Sequence, residues 1–110
     1  MRIPNAEEAF IPPSKLFDYL LSPSHPEGGA KAAFYEAVGY TKDNVDELEE
    51  QLLAIARDND VDREFKFEFG EKYLIKGILQ RKLGEGIPLL TIWVIDKGQT
   101  APRFITAYPL

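Results

Sequence analysis

The spacing of apolar residues changes once along the chain. As far as residue 58 they recur every three to four positions, the repeat of one helix face; from Arg63 they alternate or run together, as in strands. Leu16, Phe17, Leu20 and Leu21 predict a short helix after Pro12-Pro13-Ser14. Pro23 ends it, because proline disfavours helical geometry in the residue before it. Ser24 with Glu27 three residues later is a capping-box pattern, and Pro26 falls in the first turn, so a second helix is predicted over 25–38. Its apolar stripe is Ala30, Ala33, Phe34, Ala37 and Val38, with Gly39 as its stop. A third helix begins at Thr41 or Asp43. It carries Val45, Leu48, Leu52, Ile55 and Ala56 on one face and Asp46, Glu47, Glu49 and Glu50 on the other.

Beyond it, Phe65, Phe67 and Phe69 alternate with Lys66 and Glu68, which predicts a half-buried strand. Gly70-Glu71 is a hairpin signal, and residues 72–81 form the next strand. Gly77 interrupts that strand, as at a bulge or a close backbone approach. Gly84-Glu85-Gly86 turns the chain into residues 89–95, whose continuous apolar run predicts a central strand covered on both faces. Residues 98–102 turn again, and 103–108 form the last strand. The expected fold is α+β: about three N-terminal helices followed by a four-stranded antiparallel β-sheet, in a single domain over residues 1–110.

Composition narrows the chemistry. With 45% hydrophobic residues in 110, the chain can bury a core without staples. It has no cysteine and one histidine, which excludes disulfides, thiolate zinc sites and multi-histidine metal sites; neither a metal nor a cofactor is expected. No apolar run reaches the roughly 18–20 residues of a membrane span, and Met1-Arg2-Ile3-Pro4-Asn5 lacks the apolar core of a signal peptide. The expected location is the cytoplasm, or that of an effector domain delivered on a larger carrier, with no membrane partner. The net charge of −5 is unfavourable for phosphate binding, but it is unevenly distributed. Residues 43–71 hold eleven acidic and three basic side chains, whereas residues 72–110 hold six basic and two acidic ones.

Several apparent motifs fail on spacing. Asp58, Asp60 and Asp62 imitate the start of a calcium loop, but Arg63 stands where the glycine is needed and Phe69 where the bidentate Glu is needed. Asp43, Glu47 and Glu50 share a helix face and read as a solvated surface. The segment His25-Pro26-Glu27-Gly28-Gly29-Ala30-Lys31 lacks the GxxxxGK[ST] spacing of a nucleotide loop. It keeps two other readings. His25 suits a general acid or base because an imidazole titrates near neutral pH, and the helix start with Gly28, Gly29 and Lys31 suits an anion. The plain alternative is an exposed first-turn histidine and a Lys31–Glu27 surface pair.

At the other end, Arg103 can clamp a phosphate, and Thr106 and Tyr108 can donate hydrogen bonds to it. Strict alternation puts Arg103 on the face opposite Thr106 and Tyr108 unless a bulge intervenes. Lys72, Lys76 and Gln80 share one face of an earlier strand with Leu74 and Ile78, giving a mixed basic and apolar surface. Lys76 is the substrate-binding candidate there.

Two blocks of the sequence carry a resemblance. One is Asp18-Tyr19-Leu20-Leu21-Ser22-Pro23-Ser24-His25-Pro26 with Gly28 or Gly29, Lys31-Ala32 and Phe34-Tyr35. The other is Thr91-Ile92-Trp93-Val94-Ile95 with Gly98, Pro102-Arg103 and Thr106-Ala107-Tyr108-Pro109. Together they resemble an uncharacterised bacterial family, domain of unknown function 6883, whose layout is similar to the fold of barnase-like, EndoU-like, colicin-nuclease and RelE-like ribonuclease toxins. The resemblance implies a metal-independent endoribonuclease with RNA as substrate and an antitoxin or immunity protein as partner. In it His25, Lys31, Arg103, Thr106 and Tyr108 stand where such enzymes keep acid/base and phosphate-stabilising groups. Such toxins are usually basic, and this chain departs from them in being acidic overall. The alternative expectation is a non-catalytic module that meets a basic partner through the acidic helix 43–58.

Overall fold

Proline and capping side chains set where the helices begin. In the computed structural model, which describes residues 1–20, 29–80 and 84–110, Pro13 opens a short helix, α1 (Pro13–Lys15), that widens into a π-helical turn over Leu16–Leu20. Leu16 and Leu20 face the core, whereas Phe17 stays exposed. The second helix is described from Gly29, as α2 (Gly29–Ala37); its expected start at Ser24, His25 and Pro26 lies outside the described residues. Its buried side is Ala32, Tyr35 and Val38, with Phe34 partly buried against the core; Phe34 and Val38 belong to the expected stripe, whereas Ala33 and Ala37 are exposed. Tyr35 can turn inward because its hydroxyl donates to the Ala107 carbonyl at 3.1 Å, leaving no buried polar group unpaired. Gly39, at φ 101°, lets the Tyr40 N–H reach back to the Tyr35 carbonyl at 2.8 Å, which ends the helix.

Thr41 then starts the next helical run. Its hydroxyl oxygen accepts from the Asp43 N–H at 3.2 Å, and the Asn44 side chain accepts from the Thr41 N–H at 2.8 Å. A 3₁₀ turn, Lys42–Asn44, leads into α3 (Val45–Asp58), which buries Leu48, Leu52, Ile55 and Ala56.

The four strands are β1 (Val61–Phe67), β2 (Gly70–Leu79), β3 (Ile87–Asp96) and β4 (Arg103–Pro109), antiparallel neighbours in chain order. Leu16, Leu20, Tyr35, Leu48, Leu52 and Ile55 gather against one face of this sheet, over Tyr73, Ile75, Leu79, Leu89, Trp93 and Phe104. Trp93 and Phe104 meet edge to face at 5.2 Å. The fully buried Thr91 hydroxyl donates to the Ile75 carbonyl and accepts from the Trp93 indole N–H, both at 2.8 Å. No helix among the described residues is long and apolar enough to cross a membrane.

Two further details differ from the sequence reading, and a third, at Gly77, selects between its two alternatives. The first strand is not half-buried: Phe65, Phe67 and Phe69 are 38%, 46% and 67% exposed, because β1 is the sheet edge and nothing among the described residues covers it. The first hairpin turns at Glu68 and Phe69, and Gly70 pairs back to Phe67. A Cβ on Gly70 would lie 2.3 Å from the Ile95 carbonyl oxygen, so that position requires glycine. Gly77 marks a close approach and no bulge: a Cβ there would lie 2.6 Å from Ile55 Cγ2, where α3 crosses β2.

Candidate functional site

The helices occupy one face of the sheet, and the other face is open among the described residues. Strand pairing sorts its side chains into rows. One row runs Phe65, Lys72, Val94, Arg103 and the next Arg63, Leu74, Ile92, Thr106; a third runs Lys76, Leu90, Tyr108. The face therefore has an apolar middle, a basic and aromatic margin on β1 and β2, and a polar margin on β4. Leu90 and Val94 are buried although they point away from the face that the described helices cover. They stand between Lys76 and Tyr108, and between Lys72 and Arg103, whose long stems can shield them.

The β4 margin depends on one irregularity. Ile92 pairs with Thr106 and Trp93 with Phe104, so Ile105 is an extra residue without a partner in the ladder. Phe104 and Ala107 consequently both face the core, and Arg103, Thr106 and Tyr108 share the open face. The bulge overturns the separation of Arg103 from Thr106 and Tyr108 that strict alternation requires.

Each candidate side chain has a definite setting. Arg103 makes a two-pronged pair with Asp96, Nε to Oδ2 and Nη2 to Oδ1, both 3.0 Å. The guanidinium holds the Asp96 carboxyl below the usual carboxylate range, and that hydrogen-bonded carboxylate raises Arg103 in turn. Tyr108 lies at the other end of β4, about 13 Å along the strand from Arg103. The Lys31 ammonium, from the first turn of α2, sits 5.0 Å from the Tyr108 ring centroid, and its expected partner Glu27 lies outside the described residues. Lys76 stands two strands from Tyr108, about 10 Å away in the same row. It also forms a loose pair with Asp62 at 3.7 Å. His25 and Gly28 lie outside the described residues, and Gly29 is the first residue of α2.

Asp96, Arg63, Phe65 and Phe67 join this face although the sequence reading assigns none of them a functional role. Arg63 and Lys72 both lie against the Phe65 ring, at 5.1 and 5.2 Å from its centroid. Asp96 and Arg103 stand at the two ends of the 97–102 turn, a charge pair across a hairpin mouth that could have been found from spacing alone. At the far end of the sheet, an open cleft of 540 Å³ is lined by Asn5, Lys66, Glu71, Tyr73 and Asp96. Its Tyr73 hydroxyl is raised by burial and by donating to Glu71, which keeps it a proton donor. The acidic helix α3 packs behind the sheet, with Ile55 against Gly77 on the core side, so its carboxylates lie away from the open face. Among the described residues, no three His, Asp or Glu side chains gather as metal ligands would.

Comparison with known proteins gives a family and a fold. The family model described as Domain of unknown function (DUF6883) matches residues 2–110. A chain in the structure entitled "Contact-dependent growth inhibition toxin - immunity protein complex from Klebsiella pneumoniae 342" superimposes with a TM-score of 0.73 at 18% sequence identity. The match covers 94% of this chain and 95% of that one. No curated protein matches the sequence.

Proposed function

The chain belongs to the DUF6883 family, and from that premise we propose that it is a toxin-type endoribonuclease that works without a metal ion on the open face of its sheet. The observation that carries this reading is the bulge at Ile105, through which Arg103, Thr106 and Tyr108 share a face with Lys76 while Lys31 reaches Tyr108 from α2. Such cleavage needs a base to take the 2′-hydroxyl proton, cations to stabilise the phosphate as the oxygen attacks it, and an acid to protonate the departing 5′-oxygen. In this proposal His25 does the acid/base work, Lys31 and Arg103 stabilise the phosphate, and Thr106 and Tyr108 orient it. Lys76, Gly28 and Gly29 bind the strand. Asp96 engages two of the five N–H donors of Arg103, so three remain for a phosphate, on a guanidinium already held in position.

The similar fold comes from a toxin–immunity complex, which supports an immunity-type protein as partner and delivery as an effector. The second reading, a module that meets a basic partner through α3, has the exposed Asp46, Glu47 and Glu50 in its favour. Expression in a bacterium discriminates between the two. The intact chain should arrest growth and degrade cellular RNA, and His25→Ala should do neither. Arrest by both forms, or by neither, would count against the nuclease.

A further inference from the structure

The free edge of β1 has definite limits. At one end the Val61 N–H is taken by the Met1 carbonyl at 2.6 Å, and the pairing slips between Val61 and Arg63; at the other end the chain turns at Glu68 and Phe69. Five residues, Arg63 to Phe67, remain with an unpaired edge among the described residues. All five are exposed, and Phe65 is their midpoint. An edge of this kind invites another strand unless its charges repel it.

Within these five residues one register sets no like charges against each other. Two identical strands that pair antiparallel about a twofold axis must match residues whose N–H and C=O groups point the same way. The axis therefore passes through a residue and never between two. Centred on Arg63, Glu64 or Lys66, the axis sets each of these charges against itself. Centred on Phe67, the overlap falls in the turn. Centred on Phe65, it stacks Phe65 on Phe65, sets Glu64 against Lys66 twice and Arg63 against Phe67 twice, and uses all five free residues.

We propose that the protein forms a twofold dimer by antiparallel pairing of β1 with β1 of a second copy, centred on Phe65. The two sheets join into one of eight strands with both open faces on the same side, because this register keeps matched side chains on one face. Each Arg63, already 5.1 Å from its own Phe65 ring, then also meets Phe67 of the other copy. The dimer does not depend on any catalytic role for the face.

Sedimentation velocity across a wide concentration range tests this on the full chain. The wild type should reach twice the chain mass. Glu64→Lys and Lys66→Glu should each weaken the dimer by at least about tenfold, since two attractive cross-strand pairs become repulsive, and E64K/K66E should restore it. The chain has no cysteine, so a single one reports cleanly. On mild oxidation Phe65→Cys should link two copies, as residues directly opposite can, while Ile78→Cys, exposed on β2, should not. A monomer at every concentration, no rescue by the double reversal, or equal linking of the two cysteine variants would each overturn the proposal.

Discussion

Arg103 and Asp96 set the scale of what one pair contributes. Both are about one-third exposed, so solvent screening leaves the two-pronged contact worth about 1 kcal/mol at neutral pH. Because the Asp96 carboxyl is depressed in the folded state, its contribution is fully present above the unfolded value, near pH 4, and is lost as pH falls through the lower folded value. Wild type and Asp96→Asn should therefore differ by about 1 kcal/mol near pH 7 and converge below about pH 4, as read from urea denaturation. A constant gap across that range would show that the pair is not what Asp96 contributes. In the sequence, Arg103 could be recognised as a phosphate ligand by residue type. Its partner Asp96 carries only the signal of an opposite charge at the other end of the 97–102 turn.

At the level of elements, period and punctuation make the order of three helical segments and four strands readable, although the first hairpin turns at Glu68 and Phe69, two residues before the Gly70-Glu71 signal. Side-chain orientation was harder to read where one residue alters the count. Ile105 adds a residue to β4 that no local pattern announces; its partner positions on β3 define it. In α2, Tyr35 joins the buried side beside Phe34 and Val38 because its hydroxyl is satisfied by Ala107, a contact the helical repeat does not announce. Deleting Ile105 should restore strict alternation and force either Phe104 or Thr106 and Tyr108 onto the wrong face. We expect loss of several kcal/mol, of the order seen for deleting a large core side chain, measured as a collapse of the thermal transition. Replacing Ile105 by Val, which keeps the extra residue, should cost only about 1 kcal/mol. Equal effects would mean that the bulge does not set the face.

For the whole molecule, the net charge of −5 misleads and its arrangement informs. The acidic stretch became α3 behind the sheet, and the open face kept Arg63, Lys72, Lys76 and Arg103, with Asp62 and Asp96 as their nearest paired carboxylates. Residue counts along the chain exposed this asymmetry, but only the packing of Ile55 on Gly77 decided which side the acid faces. If RNA binds this face, Lys72→Glu with Lys76→Glu should weaken binding at least about tenfold and flatten its salt dependence, because fewer counterions are released. Reversal at Glu47 and Glu50 should change it much less. Fluorescence anisotropy with a labelled single strand reads both, and a larger effect from α3 would put the interface on the back.

Cleavage itself tests the central claim most directly. Purified wild-type protein, incubated with RNA in the presence of EDTA, should cut the strand. Arg103→Ala and His25→Ala, each shown by circular dichroism to be folded, should each lose at least about a hundredfold in rate, as expected for removing a charge stabiliser or an acid/base. Intact RNA with the wild type, or undiminished cutting by both variants, would contradict it.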